Sequence, residues 1–336
     1  MPLRAARPID VPAHPRFAGF APFYQREILP WLIEKEAARR KAVRRAAIAV
    51  AVTTALIAGF QALAFGVCGM GFEVAVIVFG AVPAFLGGGA AWMFLTMFRA
   101  EMKGFLLPKI AERLKLDYTG PSTMFPFDAF YGTGMLPRHD RHTLEDGIAS
   151  DEAGILFEAA EAKLAVRRTT KNGGTSYNTV WRGLLFAART PRPFKGITLV
   201  MPERGFVARL FERDPGERIA LGLGELEDGL EIRTTLPEEA RMTLTDRVMR
   251  RLHELQRRLG ADRPSLALAG DRALMAIRSK KDRFEGGSLF EPLDDPARIE
   301  ALLLEFADIF DLADALGQAL KLERARAPAG DAPAAR

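Results

Sequence analysis

Two long uncharged runs lie close together in this chain, and they constrain its fold more than any other feature. No residue from Ala46 to Gly71 is charged, and the run opens AAIAVAVTTALIAGFQALAFGVCGM. Glu73 interrupts it, and a second uncharged run, VAVIVFGAVPAFLGGGAAWMFLTMF, extends from Val74 to Phe98. A bilayer core takes about 20 apolar residues in helical form. Each run meets that length, so the expectation is a transmembrane helical hairpin over residues 46–98. A signal peptide does not fit, because the first run starts late, is too long, and is followed at once by another.

Charge sets the expected orientation. Residues 1–45 hold ten Lys/Arg against four Asp/Glu, a charge of +6. Residues 46–98 hold only Glu73, and residues 99–336 hold 37 charges of each sign. The whole-chain charge of +5 therefore sits on one short N-terminal arm, and the large remaining part is neutral. That distribution removes the nucleic-acid reading that a pI near 9.4 invites. Arg39, Arg40, Lys41, Arg44 and Arg45 precede the first run, and Arg99, Lys103 and Lys109 follow the second. The segment Gly69–Glu73 has no Lys or Arg. The positive-inside rule then puts both flanks and both termini in the cytoplasm, with the turn outside. The single cysteine, Cys68, excludes a disulfide framework and a Cys-rich zinc site.

Inside the hairpin, Gly80, Ala84 and Gly88 fall four apart, beside Gly87 and Gly89. Small residues at that spacing let helix backbones approach closely, here the second helix on the first. Pro83 is expected to kink the second helix. Gln61 is the one strongly polar residue in the first run, and no acid or base lies near mid-membrane. Channel and transporter readings are rejected on that ground. The arm, residues 1–45, begins with five prolines up to Pro22 and reads as irregular chain. From Phe23 the pattern is helical, with a break expected at Pro30. Its apolar patch around Trp31 and its basic end suit either an interfacial helix on anionic lipid or a helix packed on the following domain.

Residues 99–323 read as a cytosolic domain. Residues 99–116 should prolong the second membrane helix, with Pro108 a possible break. Strands are expected at 155–166, 179–189, 196–201 and 230–235. Asn172-Gly173-Gly174 reads as a hairpin tip, and 265–269 with 272–279 as a second hairpin turning at Gly270-Asp271. Leu244, Val248, Leu252, Leu255 and Leu259 form one helical stripe. Thr245 is its cap, Glu254 pairs with Arg258, and Gly260 is the stop. A last helix follows Asp295-Pro296, with Ile299, Leu302, Leu303, Phe306, Ile309, Phe310 and Leu316 on its buried side. Residues 324–336 read as a disordered tail. The fold class is α+β: a mainly antiparallel sheet covered on one face by amphipathic helices.

Chemical motifs are sparse. There is no Walker loop, no nucleophile elbow, and GLGELEDG at 222–229 reads as loop. The segment RHDRHTLED, Arg138–Asp146, brings His139 and His142 near Asp140, Glu145 and Asp146, side chains that can bind a divalent metal or share a proton. Its charge and the preceding proline suit an exposed loop better. Arg182, inside TVWRGLLF, is either a buried salt-bridge partner, which is favoured, or solvent-facing.

Four segments together resemble an uncharacterised family of bacterial membrane proteins defined by a domain of unknown function. They are YGTGMLP with Tyr131, Gly132 and Gly134; LEDGI with Glu145 and Asp146; WRGLLF with Arg182 and Gly183; and EARMTLT with Arg241. Ser150 stands where the family pattern leads one to expect glycine. The resemblance implies two membrane helices near the N-terminus, a cytosolic domain behind them, and an inner-membrane location. It implies no reaction, no catalytic residue, no metal and no cofactor. The functional expectation is a membrane-anchored, non-enzymatic domain that binds a protein partner or senses the envelope. Its lipid contacts include anionic lipid through the basic arm. The alternatives are an inner-leaflet metal-dependent enzyme using residues 138–146, or a lipid-binding protein.

Overall fold

Long helix-forming runs and apolar β-branched or aromatic runs separate along this chain, and two compact units follow that separation. One comprises Met1–Ile110 and Phe284–Leu304, the other Ala111–Arg283 and Glu305–Arg336. The computed structural model describes residues 7–66, 80–121, 124–151, 155–169, 173–203, 216–259, 264–279 and 282–320. The expected turn at 69–73, Cys68, and the tail at 324–336 lie outside the described residues.

In the first unit, short helical turns at Pro15–Phe17 and Phe20–Phe23 lead into a π-turn, Tyr24–Ile28, and then helix α1, Leu29–Gly66. Pro30 does not break the helix. The Leu29 N–H bonds back to the Tyr24 carbonyl, and this wider turn makes room for the proline ring where an α-turn would clash. Helix α2, Val82–Arg113, contains Pro108 and runs without interruption from the second apolar run into the charged segment, as the sequence led one to expect.

The two helices lie antiparallel, as a series of contacts along their length shows. Glu27 meets Lys109 at 3.0 Å, Trp31 stacks on Phe105 with ring centres 3.9 Å apart, and Lys35 meets Glu101 at 2.7 Å. Further on, Arg45 lies over the Phe94 ring, and Gly87 backs onto Thr53. Among the described residues one helical stretch, Pro15–Leu63, is long and apolar enough to cross a membrane. The second apolar run lies partly outside the described residues, and a clear pair of spans is not shown. Outward-facing side chains on both helices are large and apolar: Leu56 is 49% exposed, Phe85 80% and Trp92 69%.

The segment after Phe284 is bound to the charged ends of these helices. Glu285 bonds Lys103 at 3.0 Å, Arg39 donates to the Leu289 carbonyl, and Glu36 accepts from the Leu293 N–H. Arg298 donates to the carbonyls of Gly286 and Ser288 and closes the loop. Burial alone would raise the Glu36 carboxyl, but hydrogen bonds from Arg39, Arg40 and the Leu293 N–H outweigh it and hold it at about 2.

The second unit is built on a seven-stranded sheet with strands β1 (Asp117–Gly120), β2 (Arg141–Ser150), β3 (Phe157–Thr169), β4 (Thr175–Pro202), β5 (Glu217–Ile219), β6 (Leu230–Thr234) and β7 (Ser265–Arg278). The order is β1-β2-β3-β4-β6-β5, with β7 on β4, and every pairing is antiparallel. Its helices are α3 (Phe127–Gly132), α4 (Pro237–Thr243) and α5 (Asp246–Leu259), and helix α6 (Ala297–Leu320) starts in the first unit and contributes its residues from Glu305 on to the second. The α6 start is as expected: the Asp295 carboxylate accepts from the Ala297 N–H at 3.0 Å, and the apolar stripe from Ile299 to Leu316 is buried.

Three expectations change. The segments 179–189 and 196–201 are one strand, β4. Pro191 and Pro193 fall at its bend, where Arg189 faces Arg272, Phe194 faces Gly270 and Thr198 faces Leu268. A proline there forfeits no ladder bond, because the ladder is already interrupted. The hairpin at Gly270-Asp271 is also absent. Residues 265–278 form one strand, and Gly270, at φ +53°, supplies a kink matching the bend in β4. Third, the sheet is buried on both faces. Leu185, Ala187, Leu199, Leu274 and Ala276 share a core with Phe125, Phe127 and Phe130, while the alternate residues Leu184, Phe186, Val200, Met275 and Ile277 are buried as well. Strands covered on both sides read as continuous apolar runs, which is why LLFAA and ALMAI lack alternation. Leu244, just before α5, and Val248 and Leu252 within it are buried. Glu254 pairs with Arg251, at 2.6 Å, while the side chains of residues 255–259 and Gly260 lie outside the described residues.

Candidate functional site

The sheet register gathers several motif residues at one place. Glu145 of β2 lies opposite Glu161 of β3, and Lys163 lies opposite Arg182 of β4, so all four share a face. Glu161 is buried there. One carboxylate oxygen accepts from Arg182 Nε at 2.8 Å, and the other accepts from the Arg283 backbone N–H at 3.0 Å. Arg182 also bonds Asp282 through Nη2, and Arg283 bonds Asp308 of α6 at 3.0 Å. A chain of alternating charges thus ties β3, β4, the segment after β7, and α6. Arg182 is the salt-bridge partner of a buried acid, which is the favoured reading of its place in an apolar run.

Electrostatics at this cluster are unusual. Burial pushes the Glu161 carboxyl up to about 7, against the downward pull of the bonds from Arg182 and the Arg283 N–H. Burial likewise raises Asp308, with Arg283 opposing it. The cluster can therefore take up a proton near neutrality. It presents no nucleophile.

The other motif residues have local structural reasons. At Gly183, a Cβ would lie 2.0 Å from the Ile277 carbonyl oxygen, so only glycine lets β7 close on β4. Asp146 sits at φ +54° in a bulge where β2 carries one residue more than β3, and it accepts from the Tyr118 hydroxyl at 2.7 Å. Aspartate tolerates that conformation better than most residues. Gly134, at φ +73°, follows the end of α3. Gly132 has open space around it, and Tyr131 is exposed, edge-on to His139. Arg241 is exposed on α4, 3.5 Å from Glu238. Its neighbour Glu239 is more deeply engaged, accepting from the Lys195 and Gly196 N–H groups at the bend of β4.

His139 and His142 enter an aromatic cluster. His142 stacks on Phe127 at 4.1 Å, and His139 lies edge-on to Phe127, Tyr131 and His142. Burial first, and the neighbouring His139 second, push His142 below its ordinary value. Asp140 is engaged by the Arg167 N–H and Asp146 by Tyr118. Among the described residues no three His, Cys, Asp or Glu side chains converge to hold a metal. In the first unit, Gly80 and Gly87 face α1, opposite Gln61 and Thr53, while Gly88 has nothing within 4 Å and Ala84 is exposed.

Glu161, Asp282, Arg283 and Asp308 were not legible as a group. Glu161 alone left a trace, as an acid within the apolar stretch ILFEAAEAKLAV.

Comparison with known proteins fits this picture. Residues 179–318 match a family described as "Protein of unknown function (DUF3137)". The resemblance to a family defined by a domain of unknown function therefore holds. The matched span contains Arg182, Gly183, Arg241, Asp282, Arg283 and Asp308 but begins after Glu161. No curated protein matches. A crystal structure of the mycobacterial trehalose monomycolate transport factor A, TtfA, aligns at 12% identity over 64% of this chain and 94% of that one, with a TM-score of 0.33. A likeness of that size carries no functional inference.

Proposed function

We propose that the chain is a membrane-anchored protein whose α+β domain works by binding a protein partner on the cytosolic face rather than by turnover. The supporting observation is the antiparallel α1–α2 pair. Its large apolar side chains point outward over the two uncharged runs, and its charged ends are ion-paired beyond them. In water such a surface is an exposed apolar patch well beyond what a soluble monomer carries. In lipid it is satisfied. The hairpin at 46–98, the cytosolic placement of residues 99–323 and the binding role of the motif face belong to this reading.

The absence of a nucleophile–base pair at the described Glu161–Arg182 cluster, and the packing of both histidines in an aromatic cluster, His142 stacked and His139 edge-on, favour binding over chemistry. The test is native mass spectrometry of the full-length protein gently extracted from its own membrane. A reproducible, stoichiometric co-purifying protein is expected. Bare protein carrying a stoichiometric metal or nucleotide contradicts the proposal.

A further inference from the structure

The β3–β4 hairpin reaches beyond the sheet. β2 pairs β3 only as far as Ala165, and β7 pairs β4 only from Gly183. Among the described residues, 166–169 and 175–178 therefore have only each other as strand partners, and Arg167, Arg168, Thr169, Thr175, Tyr177 and Asn178 are exposed. A two-stranded ribbon with both faces in water is marginal by itself.

Its surface is also charged in one sense. Arg138, Arg141, Arg167 and Arg168 cluster at this end, and among the described residues none of their guanidinium groups has a carboxylate partner. The nearby acid, Asp140, accepts from the Arg167 backbone N–H. Arg141 lies 5.7 Å over the ring of Tyr177, which is 49% exposed. Residues 99–336 carry equal numbers of acids and bases, so this cluster is a local departure from a neutral background.

We propose that the outer part of the β3–β4 ribbon, residues 166–169 and 175–178 with Arg138 and Arg141 beside them, docks on the anionic phospholipid surface of the membrane that holds the anchor, an inference that rests on the anchor proposed above. The charges lie on β3 and at or just before the start of β2, and the adjacent Arg167 and Arg168 point to opposite faces of the ribbon, which suits a surface of many headgroups better than one bound anion. An arginine paired with a half-exposed tyrosine is the composition of the headgroup layer, where cations meet lipid phosphate and the amphipathic ring sits at the interface. A neutral domain gains no long-range attraction to a distant polyanion. A bilayer to which the chain is already tethered is met at high effective concentration, so four cations suffice.

The test uses full-length protein with Cys68→Ala in nanodiscs. It carries a bimane on Asn178→Cys or on Phe85→Cys, with spin-labelled lipid as quencher. The Phe85 label reports the anchor and the Asn178 label reports the ribbon. Several-fold stronger quenching at position 178 is expected in mixed phosphatidylglycerol/phosphatidylcholine than in phosphatidylcholine alone. High salt, or the triple change R141Q/R167Q/R168Q, should abolish the difference. Quenching at 85 with equal, weak quenching at 178 in both lipids overturns the proposal and leaves the anchor standing. No quenching at 85 overturns the anchor and the proposal with it. Ribbon-dependent binding of polyglutamate or an oligonucleotide, without lipid dependence at 178, also overturns it and assigns the surface to that partner class.

Discussion

Glu161 sits in an environment at odds with what its side chain prefers. Its carboxyl is raised from about 4.5 to about 7 on folding. A raised acid binds its proton more tightly in the native state, so its contribution to stability is complete below pH 4.5. It is lost as pH climbs to 7, at about 1.4 kcal/mol per pH unit. Glu161→Gln removes the titration. The stability difference between wild type and this variant should therefore move against wild type by about 3 kcal/mol between pH 4.5 and 7.5, read from thermal unfolding at several pH values. A pH-independent difference would mean the two hydrogen bonds keep the carboxylate ionised throughout. Gly183→Ala forces a methyl against the β7 backbone and is expected to cost about 3 kcal/mol, visible as a lowered Tm. At α4, the residue that matters is Glu239. Its alanine variant frees two N–H groups at the bend of β4 and should cost about 1–3 kcal/mol. Arg241→Ala, on an exposed pair, should stay within about 0.5 kcal/mol in the same unfolding assay.

At the scale of elements, local pattern and long-range pairing contributed unequally to what the sequence reveals. The α6 stripe and its Asp295-Pro296 start were legible because a helix draws its buried face and its cap from neighbouring residues. The β4 bend and the unbroken, kinked course of β7 were not, because proline and glycine mark both a turn and a kink. Only the partner strand decides between them. Arg182 announced itself as a charge in an apolar run, but its partners Glu161 and Asp282 lie far away in sequence and carry no shared spacing. In the helix pair, the expected contact was Gly80, Ala84 and Gly88; Gly80 and Gly87 lie against α1, while Gly88 has open space and Ala84 is exposed. Gly87→Leu should disrupt α1–α2 packing, because a Cβ there already meets Thr53 Oγ1 at 1.8 Å. Gly88→Leu, with open space around it, should leave the pair intact. The thermal stability of the two variants in one detergent distinguishes these outcomes, and equal losses would contradict the contact.

For the whole molecule, one helical stretch among the described residues, Pro15–Leu63, is long and apolar enough to cross a membrane, and the second span belongs to the proposal. An uncharged run of membrane length needs no partner strand to be recognised. The basic residues before Ala46 and after Phe98 are what the proposed orientation rests on. In the α+β domain, Gly183 permits a close approach of two strands, Asp146 sits in a bulge and Arg182 pairs with buried Glu161. The central claim is the two-helix anchor with its turn outside and its domain inside. The most direct measurement is labelling with a membrane-impermeant maleimide in intact cells. The native Cys68 should react from outside without lysis. A cysteine placed at the exposed Asp271, in a Cys68→Ala background, should react only after the membrane is opened. Reaction of both before lysis, or of Asp271→Cys alone, would contradict the account.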